Sequence, residues 1–547
     1  MNMHKWAIAL LVWGLAFRTM AASFLNTGYD EAYYYLYTLH PDWSYFDHPP
    51  LVAWVTGLGI WLTGEVTQFT IRIGSVILYT GTLGFLYLTS AKLFDKRTAT
   101  LTLALVTAIP IFQVAFGFLT LPDSPLMFFW AATLWVAAHE FFPTTPTDGV
   151  LPYKPTPRLA LIGLLVGLAC LGKYHGFILG FGLVLFCLLS QHHRPAFSSP
   201  WAIAGLVLFG LTISPIAIWN AQHSWASFRF QGTRAVPTEM YSLEGLFVTF
   251  LVGVGYLFPT FGFPIWWTNL KVTGQILAIA KDKFNYRNGS INLEPMQQKQ
   301  LLILAVSLPI FLGFTLMGGY RQVLPSWHMP GFYGATLILG QQAAIAQLQH
   351  PKRIRNWLWG SSITIVTIML IALMHVHSGI FQKGGDRAIL GGFWAAKDDP
   401  STEMIDLVQL RQGFKDSPVL SAALAKSDFV FSNNFFVTGQ VGMAISPIGN
   451  KPITCFDQDL RGFAYWSKAE DWVGKNALYV SAELFQEPFI EQSVGLLPSI
   501  VSKYSSYFEA IEKVGEVPIK RGGETVQKFH VYRAIKMLRP YPRPYGN

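Results

Sequence analysis

The sequence predicts a polytopic α-helical membrane protein of about eleven transmembrane helices, with its N-terminus inside, followed by a soluble α/β or α+β domain outside. Three observations carry this. Of 547 residues, 52% are hydrophobic and only 13% charged, whereas soluble domains carry roughly 25% charged residues. Apolar stretches near the roughly 20 residues that cross a bilayer as a helix recur from residue 5 to residue 377. Beyond about residue 378 the composition changes to that of an ordinary soluble domain. The expected division is therefore a transmembrane domain at 1–378, with a first outer loop at 26–71 carrying surface helices, and a C-terminal domain at 379–547.

Residues 5–25 have the look of a signal peptide, with Lys5 ahead of an apolar run and Ala21-Ala22-Ser23 behind it. Arg18 interrupts that run and further spans follow, so an uncleaved first helix is expected. The others lie near 72–92, 98–118, 124–142, 159–190, 201–220, 245–269, 301–317, 329–349 and 356–377. The stretch 159–190 is too long for one span, and G-K-Y-H-G at 172–176 divides it into two short helices.

Orientation follows from Lys and Arg, which are retained on the cytoplasmic side. With the N-terminus inside, fifteen basic loop residues fall on the cytoplasmic face, and only Lys173, Arg229, Arg234 and Arg321 fall outside. The loop at 27–54, Asp123, Lys173 to His175, the 219–234 segment and the 318–328 segment then share the outer face of an integral plasma (inner) membrane protein. Orientation also accounts for the formal charge of +9 without nucleic acid as a partner. No nucleic-acid motif, Walker loop, dinucleotide fingerprint, metal-ligand spacing or internal repeat is present. Cys455 stands alone in the C-terminal part, so an internal disulfide is not expected there.

In the C-terminal domain, strands are expected at Asp428–Ser432, Pro452–Phe456, Ala477–Ser481, Val514–Ile519 and Lys528–Ile535. Helical segments are expected near 402–412 and 483–492. The tail R-P-Y-P-R-P-Y-G-N reads as disordered.

The chemistry concentrates in Thr27–Trp54, which packs four acids, two histidines and nine aromatics into 28 residues. If 30–39 is helical, Asp30, Tyr33, Tyr34 and Tyr37 share one face, with the tyrosines in the membrane interface. The competing reading is that Thr27 or Asp30 caps this helix and Glu31 complements its dipole. Asp47 and His48 in Y-F-D-H-P-P are held in an extended loop by paired prolines, where a metal, a phosphate or a proton could engage them. Asp47 could equally cap a helix begun by Pro49. Asp123, followed by Ser124 and Pro125, has the sequence of an N-cap. Lys173, His175, Arg321 and His328 supply positive charge to the outer side, or else snorkel to the interface. Trp219, His223 and Trp225 lie in an aromatic and basic segment suited to a glycan, a lipid headgroup or an aromatic belt.

D-E-A-Y-Y in the first loop, Y-F-D-H-P-P-L after it, P-D-S-P-L at the fourth span and W-N-x-x-H-x-W-x-S-F resemble family 39 glycosyltransferases of the GT-C superfamily. That family includes protein O-mannosyltransferases and lipid A aminoarabinose transferase. The resemblance covers roughly residues 5–350. It implies a GT-C membrane fold and transfer of a sugar from a polyprenyl-phosphate donor to a lipid, protein or polysaccharide acceptor outside the membrane, with inversion and with no nucleotide cofactor. By the same resemblance Asp30 corresponds to the catalytic carboxylate, with Glu31 beside it, and Asp123 to the second acid. Asp47 and His48 match a Glu-Lys pair near the metal and carrier phosphate in the aminoarabinose transferases, and both members differ here. A divalent metal ion at Asp47 and His48 is thus a candidate cofactor. His48, Lys173, His175, Arg321 and His328 become donor-phosphate ligands, and Tyr34, Tyr37, Trp219, His223 and Trp225 an acceptor surface. The chemistry is coherent: a polyprenyl phosphate is a good leaving group, so a base for the acceptor and positive charge for the phosphate suffice.

A lipid or oligosaccharide transporter would place ionisable groups at mid-membrane and often repeat its halves. The segments 73–91, 98–122, 201–218, 301–317 and 331–349 contain no Asp, Glu, Lys or Arg, which counts against it. A noncatalytic envelope assembly protein is the other alternative.

Overall fold

A computed structural model describes residues 3–143, 152–237, 240–285, 293–483 and 499–546. Its first fifteen α-helices run α1 (Met3–Phe24), α2 (Tyr29–Leu39), α3 (Leu51–Thr63), α4 (Ile73–Leu93), α5 (Lys96–Ala108), α6 (Asp123–Phe141), α7 (Arg158–Gly172), α8 (Gly176–Leu189), α9 (Pro200–Gln222), α10 (Ala226–Ala235), α11 (Leu243–Tyr256), α12 (Pro259–Asn285), α13 (Pro295–Met317), α14 (Pro325–Gln349) and α15 (Pro351–Ser378). The chain forms two compact units. One contains Met1–Met20, His48–Val52 and Gly74–Met369; the other contains Ala21–Asp47, Ala53–Ile73 and Leu370–Asn547. The first loop thus packs with the C-terminal residues, a partition that chain order does not suggest.

The first unit is a helical bundle with a continuous apolar core. Among the described residues, five helices are long and apolar enough to cross a membrane, or up to seven if each of two bent pairs is one span. The protein is therefore polytopic, and the expected eleven exceeds what length and composition alone support. The difference lies in short helices: α7 has 15 residues and α8 has 14, and at 1.5 Å per residue each reaches only about 22 Å. The span expected at 245–269 is broken. α11 and α12 meet at 116°, at Phe258 with its φ of +67°.

Helix packing relies on small residues, which let backbones approach closely. A side chain at Gly163 would meet the backbone of Gly205 on α9 at 2.0 Å. Arg18, the charge that interrupts α1, is fully buried and hydrogen-bonded: its guanidinium donates to Gln113 Oε1 and Thr80 Oγ1, both at 2.9 Å. Gln113 is presented by a π-helical stretch, Phe112–Phe116, and the guanidinium also covers the Tyr79 ring at 5.1 Å.

In the second unit follow α16 (Leu407–Asp416), α17 (Pro418–Lys426), β1 (Phe429–Ser432), α18 (Phe435–Gly449), β2 (Ile453–Cys455), α19 (Phe463–Trp466), β3 (Ala477–Ala482), α20 (Ser499–Ser505), β4 (Phe508–Arg521) and β5 (Glu524–Met537). The sheet order is β2-β1-β3-β5-β4. β2, β1 and β3 pair in parallel, and β3, β5 and β4 antiparallel. The parallel strands are buried throughout and read as continuous apolar runs, as strands covered on both faces do. Residues 484–498 lie outside the described residues, and with them nearly all of the helix expected at 483–492.

Two expectations for this unit change. The tail is packed: Tyr541 stacks on Phe456 with ring centroids 5.0 Å apart, and the Tyr545 hydroxyl donates to Asp459 at 2.9 Å. Its alternating Tyr and Arg residues supply rings and donors, which composition alone had read as solvated. α2 does not lie half-immersed in an interface, since every residue from Glu31 to Tyr37 is buried. It packs on α18, where Gly439 leaves room for the Tyr33 backbone at 2.9 Å from its would-be Cβ.

Candidate functional site

α2 begins at Gly28, whose backbone N–H donates to Glu31 Oε2 at 3.1 Å. Glu31 therefore reaches back from the third helical position to satisfy the N-cap backbone rather than merely complementing the dipole, and neither Thr27 nor Asp30 is the cap. The remaining capacity of Glu31 goes to Arg72: Nε donates to Oε1 at 2.7 Å and Nη2 to Oε2 at 2.5 Å. Arg72 also donates to the carbonyls of Ala22 at 3.0 Å, Leu25 at 2.5 Å and Asn26 at 2.9 Å. With Glu31 only 2% exposed, this carboxylate organises the first loop, although the sequence placed it beside the reacting centre. Asp30, one residue earlier, is exposed at the start of the same helix. Arg72 escaped sequence reading because it opens an apolar run and looks like a boundary charge.

Asp47 is drawn into a second network. Its Oδ1 accepts from Tyr33 at 3.2 Å and from Tyr37, and its Oδ2 lies 3.6 Å from Arg461 Nη1. Burial, then the Asp47 charge, push the Tyr33 and Tyr37 phenols well above their usual value, so both remain donors. Burial alone would lower Arg461, but Asp47 and Asp459 outweigh it and the guanidinium stays charged. Arg461 also grips Asp459 through Nε at 2.9 Å, and its neighbour Gly462 donates to the Tyr33 hydroxyl at 2.8 Å. Asp47 is therefore engaged by tyrosines and an arginine. Among the described residues no three His, Cys, Asp or Glu side chains converge to hold a metal. The donor set present does not fit a divalent ion at Asp47.

Tyr34 and Tyr37, expected on an acceptor surface, are 5% and 0% exposed. They meet edge to face in an aromatic cluster, with ring centroids 5.5 Å apart, and Tyr37 stacks on Tyr45 at 3.9 Å. Packing against α18 takes up the face that sequence periodicity left open.

In the helical unit, Asp123 is the first residue of α6, after Pro122, and makes no side-chain cap. The Lys173 ammonium instead donates to both of its oxygens at 2.9 Å, and both residues are buried. The approach depends on Gly172, where a Cβ would lie 2.6 Å from the Leu126 backbone nitrogen. Lys173 and His175 lie in the connection from α7 to α8, the polar break expected from G-K-Y-H-G.

These residues line a cavity with His48, Tyr174, Gln231 and Arg234, closed on its apolar side by Phe314, Met317 and Trp327. Burial, then the positive charges of Lys173 and His48, hold His175 well below the usual imidazole value, and its ring stacks on Phe314 at 5.2 Å. The Arg234 guanidinium lies 4.4 Å from the Phe230 ring. Cations beside an aromatic wall suit an anion carrying an apolar chain. Gln231 and Arg234 were not singled out as site residues, because α10 looks like an ordinary surface helix.

Two residues of the expected phosphate set are not among the cavity's lining residues. Arg321 donates to the Thr233 carbonyl at 3.4 Å and to that of Arg234, so it braces the α10 segment. His328 is 1% exposed in α14, with its ring 5.5 Å from that of Phe332. Trp219 is buried and stacked on His223 at 4.2 Å, while Trp225 is half exposed, 5.8 Å from Phe228.

Residues 47–219 match the family described as dolichyl-phosphate-mannose-protein mannosyltransferase. A lipid A galacturonosyltransferase, RgtD, from Rhizobium johnstonii is 24% identical over 327 residues, 60% of this chain and 62% of that one. The chain thus aligns with less than two thirds of that relative's length. The crystal structure of ArnT from Cupriavidus metallidurans in the apo state superposes with a TM-score of 0.56 at 14% identity, covering 97% of this chain and 98% of that one. An oligosaccharyltransferase from Archaeoglobus fulgidus, solved with zinc and sulfate, gives a TM-score of 0.44 over 86% of this chain and 67% of its own. Residues 47–219 thus resemble the protein-mannosyltransferase family, and the fold of the chain is similar to that of ArnT.

Proposed function

We propose that the protein transfers a sugar from a polyprenyl-phosphate donor to a hydroxyl of a lipid A-type glycolipid on the extracytoplasmic side of the membrane, in one inverting displacement. The observation that carries this reading is the cavity lined by the cations Lys173 and Arg234 together with Phe314, Met317 and Trp327. A phosphodiester joining an isoprenoid chain to a sugar presents charge and apolar surface side by side, as this lining does. The relative named for lipid A supports the acceptor class, and the asymmetry of basic loop residues supports the sidedness.

In this reaction the acceptor oxygen bonds to the anomeric carbon as the bond from that carbon to the phosphate oxygen breaks. The polyprenyl phosphate leaves with the electron pair, and its growing charge is met by Lys173 and Arg234. Asp30 takes the acceptor proton, a role resting on the D-E-A-Y-Y pattern and on its exposure at the start of α2. Asp123 fixes the Lys173 ammonium and moderates its charge. Glu31 and Asp47 act as positioning groups, and no step is routed through a metal.

The test uses full-length protein in nanodiscs with a radiolabelled polyprenyl-phosphate sugar and lipid A. Wild type should move label to lipid A, and Asp30→Asn should lower the rate at least a hundredfold at unchanged expression. Movement of intact donor between leaflets without cleavage would sink the transferase reading, and full activity of Asp30→Asn would sink the base assignment.

A further inference from the structure

Helix α15 carries Lys352, Arg353 and Arg355 in its first turn and a half, then twenty residues from Trp357 to Val376 without Asp, Glu, Lys or Arg. Twenty helical residues match the roughly 30 Å hydrocarbon core. Ser378 and the residues just after it therefore emerge at the bilayer boundary. The chain does not leave that level at once. Ile389 N–H donates to the Ile380 carbonyl at 2.8 Å, Phe393 N–H to that of Phe381 at 2.7 Å, and Lys383 N–H to that of Trp394 at 2.8 Å. The loop I-L-G-G-F-W at 389–394 is thus pinned to the first residues beyond the helix.

Its side chains are unusual for a polar unit. Leu390 is 87% exposed, and Ile389, Phe393 and Trp394 are about half exposed. Leu390 has φ +53° and is followed by Gly391 and Gly392 at +79°. Three consecutive left-handed residues make a tight reversal with leucine at its tip, a conformation that a branched side chain rarely adopts. The charges that flank it in sequence are Lys383, Arg387 and Lys397 with Asp386 and Asp398, all exposed, and the Glu524 carboxylate lies beside Gly384. Apolar and aromatic tips are the composition of segments that enter the headgroup region.

We propose that Ile389–Trp394 is a membrane-dipping loop, with Leu390 and Phe393 in the upper acyl region and Trp394 at headgroup level. It forms a second attachment of the C-terminal residues to the bilayer besides α15. The occupant of this patch is lipid, because the loop is tied by hydrogen bonds to the emergence point of a spanning helix.

The experiment places the environment-sensitive fluorophore NBD on Leu390→Cys in the full-length protein. The native Cys170, Cys187 and Cys455 are buried. A control label goes on Glu509→Cys, toward the far end of β4 and about 40 Å along the strand from Arg521. In phosphatidylcholine and phosphatidylglycerol nanodiscs containing lipid brominated near the top of the acyl chain, the label at 390 should be blue-shifted and quenched at least twofold more than at 509. Equal quenching at the two positions overturns the proposal. So does a blue shift at 390 without quenching, since a protein partner or a second copy would then cover the patch.

Discussion

The Lys173 ammonium sits 2.9 Å from both carboxylate oxygens of Asp123, joining the connection after α7 to the first residue of α6. A buried pair of this kind stabilises little against apolar replacements, but losing one partner strands a charge and is expected to destabilise by about 3–5 kcal/mol. Lys173→Met and Asp123→Leu should each lower the thermal midpoint in detergent. The double substitution should recover most of that loss while remaining inactive in sugar transfer. A double variant as unstable as the singles would deny the pairing, and an active one would deny Lys173 its role at the phosphate.

Arg72 holds Glu31 with a two-pronged contact and reaches three carbonyls besides. A lysine cannot reproduce that planar fork. Arg72→Lys should therefore destabilise by about 3 kcal/mol and should speed protease cleavage within 26–47. Unchanged cleavage would show that the first loop is held by other contacts.

The Asp47 carboxylate gathers Tyr33, Tyr37 and Arg461. Arg461→Met removes the charge that balances it, and a local loss of about 1.4 kcal/mol corresponds to tenfold faster amide exchange. Hydrogen exchange read over α2 and residues 40–47 should rise by about that factor, with little change in β4 and β5. Uniform acceleration across the whole chain would indicate general unfolding instead.

His40 lies against Trp466, with rings 4.5 Å apart and nearly parallel, and burial lowers its imidazole from 6.5 to about 4. The folded state keeps this ring neutral. Between pH 6.5 and about 4 the unfolded chain binds a proton that the folded chain does not, so stability falls as pH falls through that window. The contribution is fully present above 6.5, and its loss amounts to roughly 3 kcal/mol at most. His40→Phe keeps the stack and should flatten the decline of the thermal midpoint from pH 7 to 4. An identical decline in both proteins would assign the acid sensitivity to other groups.

The positions of most helices and strands were legible because they follow from local pattern. Strands expected at Ala477–Ser481 and Asp428–Ser432 appear at Ala477–Ala482 and Phe429–Ser432. The break at G-K-Y-H-G separates α7 from α8. Less legible was the span near 245–269: apolar composition is continuous across Leu257 and Phe258, and nothing local announces the 116° bend.

Sequence by itself determined that Thr27–Trp54 is a dense polar and aromatic loop in a membrane protein, and which acids and cations compete for its chemistry. Only the tertiary structure decided how they divide. Glu31 goes to Arg72, Asp47 to Tyr33, Tyr37 and Arg461, and Asp123 to Lys173, while Asp30 stays exposed. The physical reason is that a buried carboxylate must find a countercharge, and the cations Arg72, Arg461 and Lys173 lie 41, 414 and 50 residues away from Glu31, Asp47 and Asp123. Such distances have no periodic signature, so composition could name the charged groups of the first loop but not their partners.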